Sequence, residues 1–283
     1  MNGMKWYVPA MFGMLILASC TKDNGVKHYP IIPDNVTKVQ NPANLNDEEL
    51  WQWCMNESLK SMPVGGDYRT NAMAGRNFVS AFDWDSSNGK VRLHPNRATP
   101  SFCSIACYLI LCDSLQRWEK YRSCRLPSKA WLAMLPKRGQ ADGDGPWGWA
   151  NANGPGFAVM VHQLNAGKNF TSWAQAKPGD FMKMFWTDEL GRREFGHLTV
   201  FLKDHGDKVT FWSSNTNGPG AYVEGYGVKT VPKSSIKRVI FTRITHPQGF
   251  SQADSLGFNQ WLHSLLKKSV SPASVYKASG ISR

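Results

Sequence analysis

Acidic residues are scarce: 21 Asp and Glu stand against 33 Lys and Arg in 283 residues, a net charge of +12. That excess favours an anionic partner: nucleic acid, a lipid surface or an acidic wall polymer. The densest basic stretch, Arg117 to Arg138, contains no nucleic-acid-binding motif, so it reads as a solvated basic face and nucleic acid is not an expected partner. Long apolar runs are missing too. The one from Trp6 to Ala18 is too short to cross a bilayer as a helix. None of the 7 His falls in a zinc spacing such as H-E-x-x-H, so neither a metal nor another cofactor is expected. His94, His162, His205 and His246 read as ordinary surface or core residues. Asp83 and Asp85 flank Trp84 but make no glycosidase pair, because such pairs draw their acids from different elements. The chain has no internal repeat and no low-complexity block.

With 42% hydrophobic residues, the chain can bury a large core without disulfides. The first residues decide the compartment. A single Lys5 precedes the apolar run, which ends in Leu17-Ala18-Ser19-Cys20. This ending resembles the bacterial lipobox, in which the Cys is acylated and becomes the new N-terminus. The resemblance implies a signal peptide over 1–19, a lipid on Cys20 and attachment to a membrane without spanning it. Residues 20–45 have no clear period and read as a tether. Thr21, not Asp, follows the anchor, which by the enterobacterial rule favours the outer membrane. Five cysteines then remain, 54, 103, 107, 112 and 124. The number is odd, and a leftover thiol in an exported chain calls for a reason, catalysis being one. Cys112 and Cys124 could pair with each other or with Cys54.

Residues 47–62 predict a helix capped by Asn46, with three acids in its first turn. Residues 63–100 are rich in turns. Thr99, Pro100 and Ser101 suit a helix entry, and Ile105, Leu109, Cys112 and Leu115 recur at helical spacing, predicting a buried helix over 102–120. Residues 139–156 form a Gly-rich loop without regular pattern, in which Trp147 and Trp149 suit a cleft wall. Asp142 and Asp144, flanked by Gly, read as turn residues. Residues 157–167 look helical. Strands are predicted over 181–186, 196–202, 209–215 and 237–244, then an amphipathic helix over 251–268 and a polar tail. Helices first and a strand meander afterwards argue an α+β fold.

Cys103 falls at the first turn of the predicted helix, where backbone N–H groups and the helix dipole favour a thiolate. Such a nucleophile needs a base, and the base needs an orienting group. His197 opens one strand and Asn215 closes the next, nine residues either side of Gly206 in the turn between them. Equidistance from the turn places them side by side. Strand alternation puts Ser213 on the same face as Asn215, with Trp212 on the other. Cys107, one turn further along the helix, reads as core.

These segments resemble the papain-like cysteine hydrolases of the NlpC and CHAP kind. S-F-C-S-I-A-C-Y (101–108) is similar to their nucleophile helix, A-K-P-G-D-F-M (176–182) to their P-G-D strand entry, F-G-H-L-T-V-F-L (195–202) to the strand bearing the base, and V-T-F-W-S-S-N-T-N-G (209–218) to the strand that orients it. The four motifs come in the family's order. The resemblance implies a papain-like fold, with the nucleophile helix packed on an antiparallel sheet, over residues 46–250, followed by a C-terminal helix and tail over 251–283. It implies Cys103 as nucleophile, His197 as base and Asn215 as the polar third member, with Ser213 the other candidate for that place; Trp147, Trp149, Trp212 and Ser213 are the candidate substrate contacts. Two positions depart from the pattern: Ile105 stands where the family commonly has Gly, and Ser213 where CHAP domains often place Glu. The interval between Cys103 and His197 is long for the family, which predicts an insertion around 120–156 that shapes the cleft. The implied reaction cleaves an amide through an acyl-enzyme, in peptidoglycan or a peptide-like substrate, by a monomer held at the cell envelope. Two other readings keep the fold. One is a non-catalytic wall- or glycan-binding lipoprotein using Trp147, Trp149 and Trp212; the other transfers the acyl group to an amine or lipid.

Overall fold

The computed structural model describes residues 41–122 and 124–282. Cys20, the apolar run before it and the tether up to residue 40 lie outside the described residues. Helix α1 (Asp47–Ser61) starts at a reciprocal capping box: Asn46 Oδ1 accepts the Glu49 N–H at 3.0 Å, and the Glu49 carboxylate accepts the Asn46 N–H at 3.1 Å. Just before it, Pro42–Asn44 form a short 3-10 turn, tied down by Arg122, whose guanidinium donates to the carbonyls of Ala43 and Leu45. Helix α2 (Ala72–Ser80) and helix α3 (Cys103–Arg122) follow. Every residue of α3 from Ile105 to Cys112 is 0% exposed. A helix that is buried all round is the centre of a core, and α3 packs on α1 on one side and on the sheet on the other.

The sheet has seven strands, all antiparallel, in the order β1 (Gly65–Gly66), β8 (Gly225–Pro232), β7 (Lys208–Asn215), β6 (Gly196–Asp204), β5 (Phe181–Phe185), β9 (Arg238–Ile244) and β4 (Gly167–Phe170). Leu198, Val200, Trp212, Tyr226 and Val228 join α3 in the main core. The alternate residues Met182, Met184, Phe201, Val209, Phe211 and Phe241 build a second cluster on the other face, closed by Trp173 and Ile236. Burying one face against a helix and the other against loops is the ordinary way to satisfy a sheet of this kind. The fold is α+β, with helices packed on an antiparallel sheet.

The P-G-D turn owes its Asp to structure. Asp180, fully buried, receives two hydrogen bonds from the guanidinium of Arg243 on β9, at 2.8 and 2.7 Å. Its Oδ2 also takes the Lys177 N–H at 2.8 Å, which clips the turn shut. Removing one partner of such a buried pair costs about 3–5 kcal/mol.

Several elements depart from the sequence expectation. The turn-rich stretch 63–100 contains α2 and a hairpin of β2 (Phe82–Asp85) with β3 (Lys90–Leu93). Helix α4 (Ser128–Met134) comes next. The Gly-rich loop holds helix α5 (Gly145–Asn151), with Pro146 in its first turn, where its missing N–H matters least. Gly148 is required there, because a side chain would run into the Ala141 carbonyl. Helix α6 (Gly156–Gln163) ends before the predicted 167, and β8 and β4 were not foreseen. The predicted helix over 251–268 is instead a 3-10 segment, Pro247–Ser255, and a short helix α7 (Gln260–Ser264). The run is broken where Trp149 Nε1 donates to the Gly257 carbonyl at 2.8 Å and Asn259 caps α7 afresh. The tail carries helix α8 (Pro272–Ala278), capped by Ser271. Among the described residues, no helix is long and apolar enough to cross a membrane.

Candidate active site

Residues 99–102 hold the start of α3 in place. Ser101 donates its hydroxyl to Ser214 Oγ on β7 at 2.8 Å. Its backbone is clamped to the segment ahead of α2, with Arg69 N–H to Ser101 C=O at 2.9 Å and Ser101 N–H to Asp67 C=O at 3.2 Å. Cys103 is thus presented as the first residue of a rigid buried helix, half-exposed, with first-turn N–H groups that have no acceptor within the helix.

His197 comes from β6 and Asn215 from β7. Pairing near the turn matches Asp204 with Val209 and Lys203 with Thr210. A bulge at Leu202 then shifts the register by one, to Phe201 with Phe211 and Val200 with Trp212. Continued past that pair, the shifted register sets His197 opposite Asn215. Here side chains bridge the two strands: Ser213 Oγ donates to Leu198 C=O at 2.8 Å, and His197 Nε2 meets Asn215 Oδ1 at 3.1 Å. Asn215 is fixed by its own donors, Nδ2 giving to Gly227 C=O at 2.8 Å and Ser213 C=O at 3.1 Å. Its Oδ1 must therefore accept, which makes His197 Nε2 the protonated nitrogen and leaves Nδ1 for Cys103.

The Cys103 thiol lies where the charge and hydrogen bonding of the His197 ring act on it. Burial alone would raise its pKa, but the charge and hydrogen bond of His197 prevail. Lys183 on β5 and the Leu198 N–H add to them, and the thiol is brought down to about 6. At neutral pH the sulfur is a thiolate. Lys183 is itself held by a buried ion pair with Glu194 at 2.6 Å, and Glu194 also accepts the N–H groups of Gly154 and Gly191. Tyr68 completes the set. Burial raises its hydroxyl, and the charge and hydrogen bond of Cys103 raise it further, so it stays a donor beside the sulfur. Its ring centroid is 6.4 Å from that of His197. Nothing in its sequence neighbourhood marks Tyr68. It is delivered by the parallel bridge between Tyr68 and Ser101.

No protein-family model, curated protein or solved structure matches the chain. The chemistry therefore rests on these side chains themselves. A thiolate, an imidazole, an amide that fixes the imidazole's tautomer, and donors from Tyr68 and the α3 start form a set able to attack a carbonyl and hold the resulting oxyanion.

The sequence-predicted substrate contacts have other surroundings. Trp147 and Trp149 are each 7% exposed and Trp212 is 4% exposed, so none offers a free face for stacking. Trp212 lies parallel to Tyr226, with ring centroids 5.9 Å apart. Ser213 is fully buried and its hydroxyl is spent on Leu198. Trp147 is one wall of a groove of about 380 Å³ that opens beside Phe102. A larger cavity of about 720 Å³ lies at the other end of α3, around Gln116, Glu119 and Trp131, away from all these groups. Cys54, Cys107, Cys112 and Cys124 are free thiols, as is Cys103.

Proposed function

We propose that this chain is a papain-like cysteine hydrolase of the NlpC and CHAP kind that cleaves amide bonds in peptidoglycan, as an exported lipoprotein tethered through Cys20. The observation that carries the reading is the His197 ring, held by the fixed amide of Asn215 and acting on the Cys103 thiol. The Cys103 thiolate attacks the amide carbon, and the carbonyl oxygen becomes an oxyanion held by first-turn N–H groups of α3 and the Tyr68 hydroxyl. His197 gives the leaving amine the proton that its Nδ1 took from the Cys103 thiol, and the C–N bond breaks. The acyl group stays on sulfur as a thioester. His197 then takes a proton from water, whose oxygen attacks the thioester, and the carboxylic acid leaves as the thiolate is restored. No feature favours the non-catalytic reading, since the three tryptophans it needs are buried.

Cys103→Ala is expected to lower release of peptide fragments from purified peptidoglycan by roughly 10⁴-fold or more, with an unchanged circular-dichroism melt. Mass analysis of the digest reads the outcome and names the bond. Full activity in the folded variant would sink the proposal.

A further inference from the structure

We propose that the groove beside Phe102 is an anion subsite, binding a carboxylate of the peptide on one side of the scissile amide. The inference rests on the hydrolase reading and adds to it what the substrate must carry. The groove starts at the residue before the nucleophile, and Thr70, two residues beyond Tyr68, forms its other bank. It therefore lies one residue from Cys103 and two from Tyr68 along the chain. Trp147 and Asn151 of α5 line its side, while Arg76 of α2 and Lys137 and Arg138 from the turn after α4 stand around it. Among the described residues, no Asp or Glu lines it.

The groove gathers cations without a balancing acid. Arg92, Arg97, Arg117 and Arg122 each pair with an Asp, whereas Arg76, Lys137 and Arg138 have no ion-pair partner among the described residues. Three unpaired cations around one concavity repel one another, which works against the fold unless an anion relieves it. A concave wall also focuses their field into the groove. The N-terminal end of α2, at Thr70 and Asn71, adds a dipole of the same sign. The groove is sized for a small group, and the planar fork of an Arg matches a carboxylate's two oxygens. An acidic residue within a wall peptide, or a peptide's free C-terminus, supplies that group.

The test compares two alkylating agents on the full chain at neutral pH, iodoacetate and iodoacetamide, with Cys103 labelling followed by peptide mass analysis. Both need the same thiolate, so the ratio of their rates reports the local field and not the thiol's ionisation. The triple variant Arg76→Gln, Lys137→Gln, Arg138→Gln is expected to lower the iodoacetate-to-iodoacetamide ratio by roughly 3- to 10-fold, the effect of three screened charges near one anion. The control triple Lys203→Gln, Lys267→Gln, Lys268→Gln removes equal charge elsewhere and should leave the ratio in place. In parallel, amidating the acidic groups of a wall peptide should lower kcat/KM in the native chain and have little effect in the groove variant. Brisk labelling with an unchanged ratio, or equal loss in both triples, overturns the subsite and leaves the nucleophile standing. Failure of both reagents to label Cys103 overturns the two together.

Discussion

Cys103 and Cys107 sit one turn apart on α3 and carry the same side chain, yet their thiols are pushed in opposite directions. Burial lifts both. At Cys107 the negative charge of Cys103 adds to burial and the Ser213 side chain opposes it only partly, so the thiol ends well above its ordinary 9.0. At Cys103, His197, Lys183 and the Leu198 N–H outweigh burial, and the thiol drops to about 6. Cys54 is a second contrast: buried on α1, it is raised to about 12. Position on the helix alone does not make a nucleophile. What separates the two is which neighbours from β5 and β6 reach the sulfur.

Four measurements break or sharpen this contrast, in falling order of effect. Removing the base should erase most of it. His197→Ala is expected to lower turnover by roughly 10²- to 10⁴-fold and to raise the Cys103 pKa, seen in the ultraviolet absorbance of the thiolate; a thiol still titrating near 6 would mean that His197 is not its partner. Asn215→Ala keeps the ring but frees it to turn. It should reduce kcat by roughly 10- to 100-fold with little change in KM, a split that a purely structural role would not give.

The third measurement concerns pH. Between about 6 and 9.0 the folded Cys103 has lost its proton while the unfolded one keeps it, so folding gains stability as pH rises through that window and loses it as pH falls toward 6. The Tm of the native chain minus that of Cys103→Ala should therefore grow from pH 6 to pH 9; a flat difference would deny the depressed thiol. The smallest effect belongs to Cys107→Ala. Turnover should stay within about twofold, while a denaturant melt shows about 1 kcal/mol lost to the small void left in the core.

Much of this was legible in the sequence, for reasons that can be traced. The α1 cap, the buried period of α3 and the alternating strands β5, β6, β7 and β9 are local patterns, and local patterns survive folding. The pairing of His197 with Asn215 was reached by counting from Gly206, but the ladder next to the turn alone would have set His197 against Thr216. The Leu202 bulge restores the counted pair. Helix α5 was hidden because Gly, Pro and Asn make up four of its seven residues, and its formation depends on burying Trp147 and Trp149 against distant segments. Strand β8 was masked by Gly225 and Gly227, which lie opposite Asn215 and Ser213, where a side chain at Gly225 would strike Gly65. Tyr68 and the Lys183–Glu194 pair are creatures of long-range packing that no spacing announces.

The extra residue at Leu202 ties turn length to chemistry in an all-or-none way. If the 205–207 connection lost or gained a single residue, the strand could still zip, but the amide that steadies the imidazole would point to the opposite side of the sheet. A mispaired hairpin would then be folded yet inert. A slip of two residues restores the face but sets residue 213 or 217 in the place of Asn215, so only a compensating change at the bulge keeps the pair.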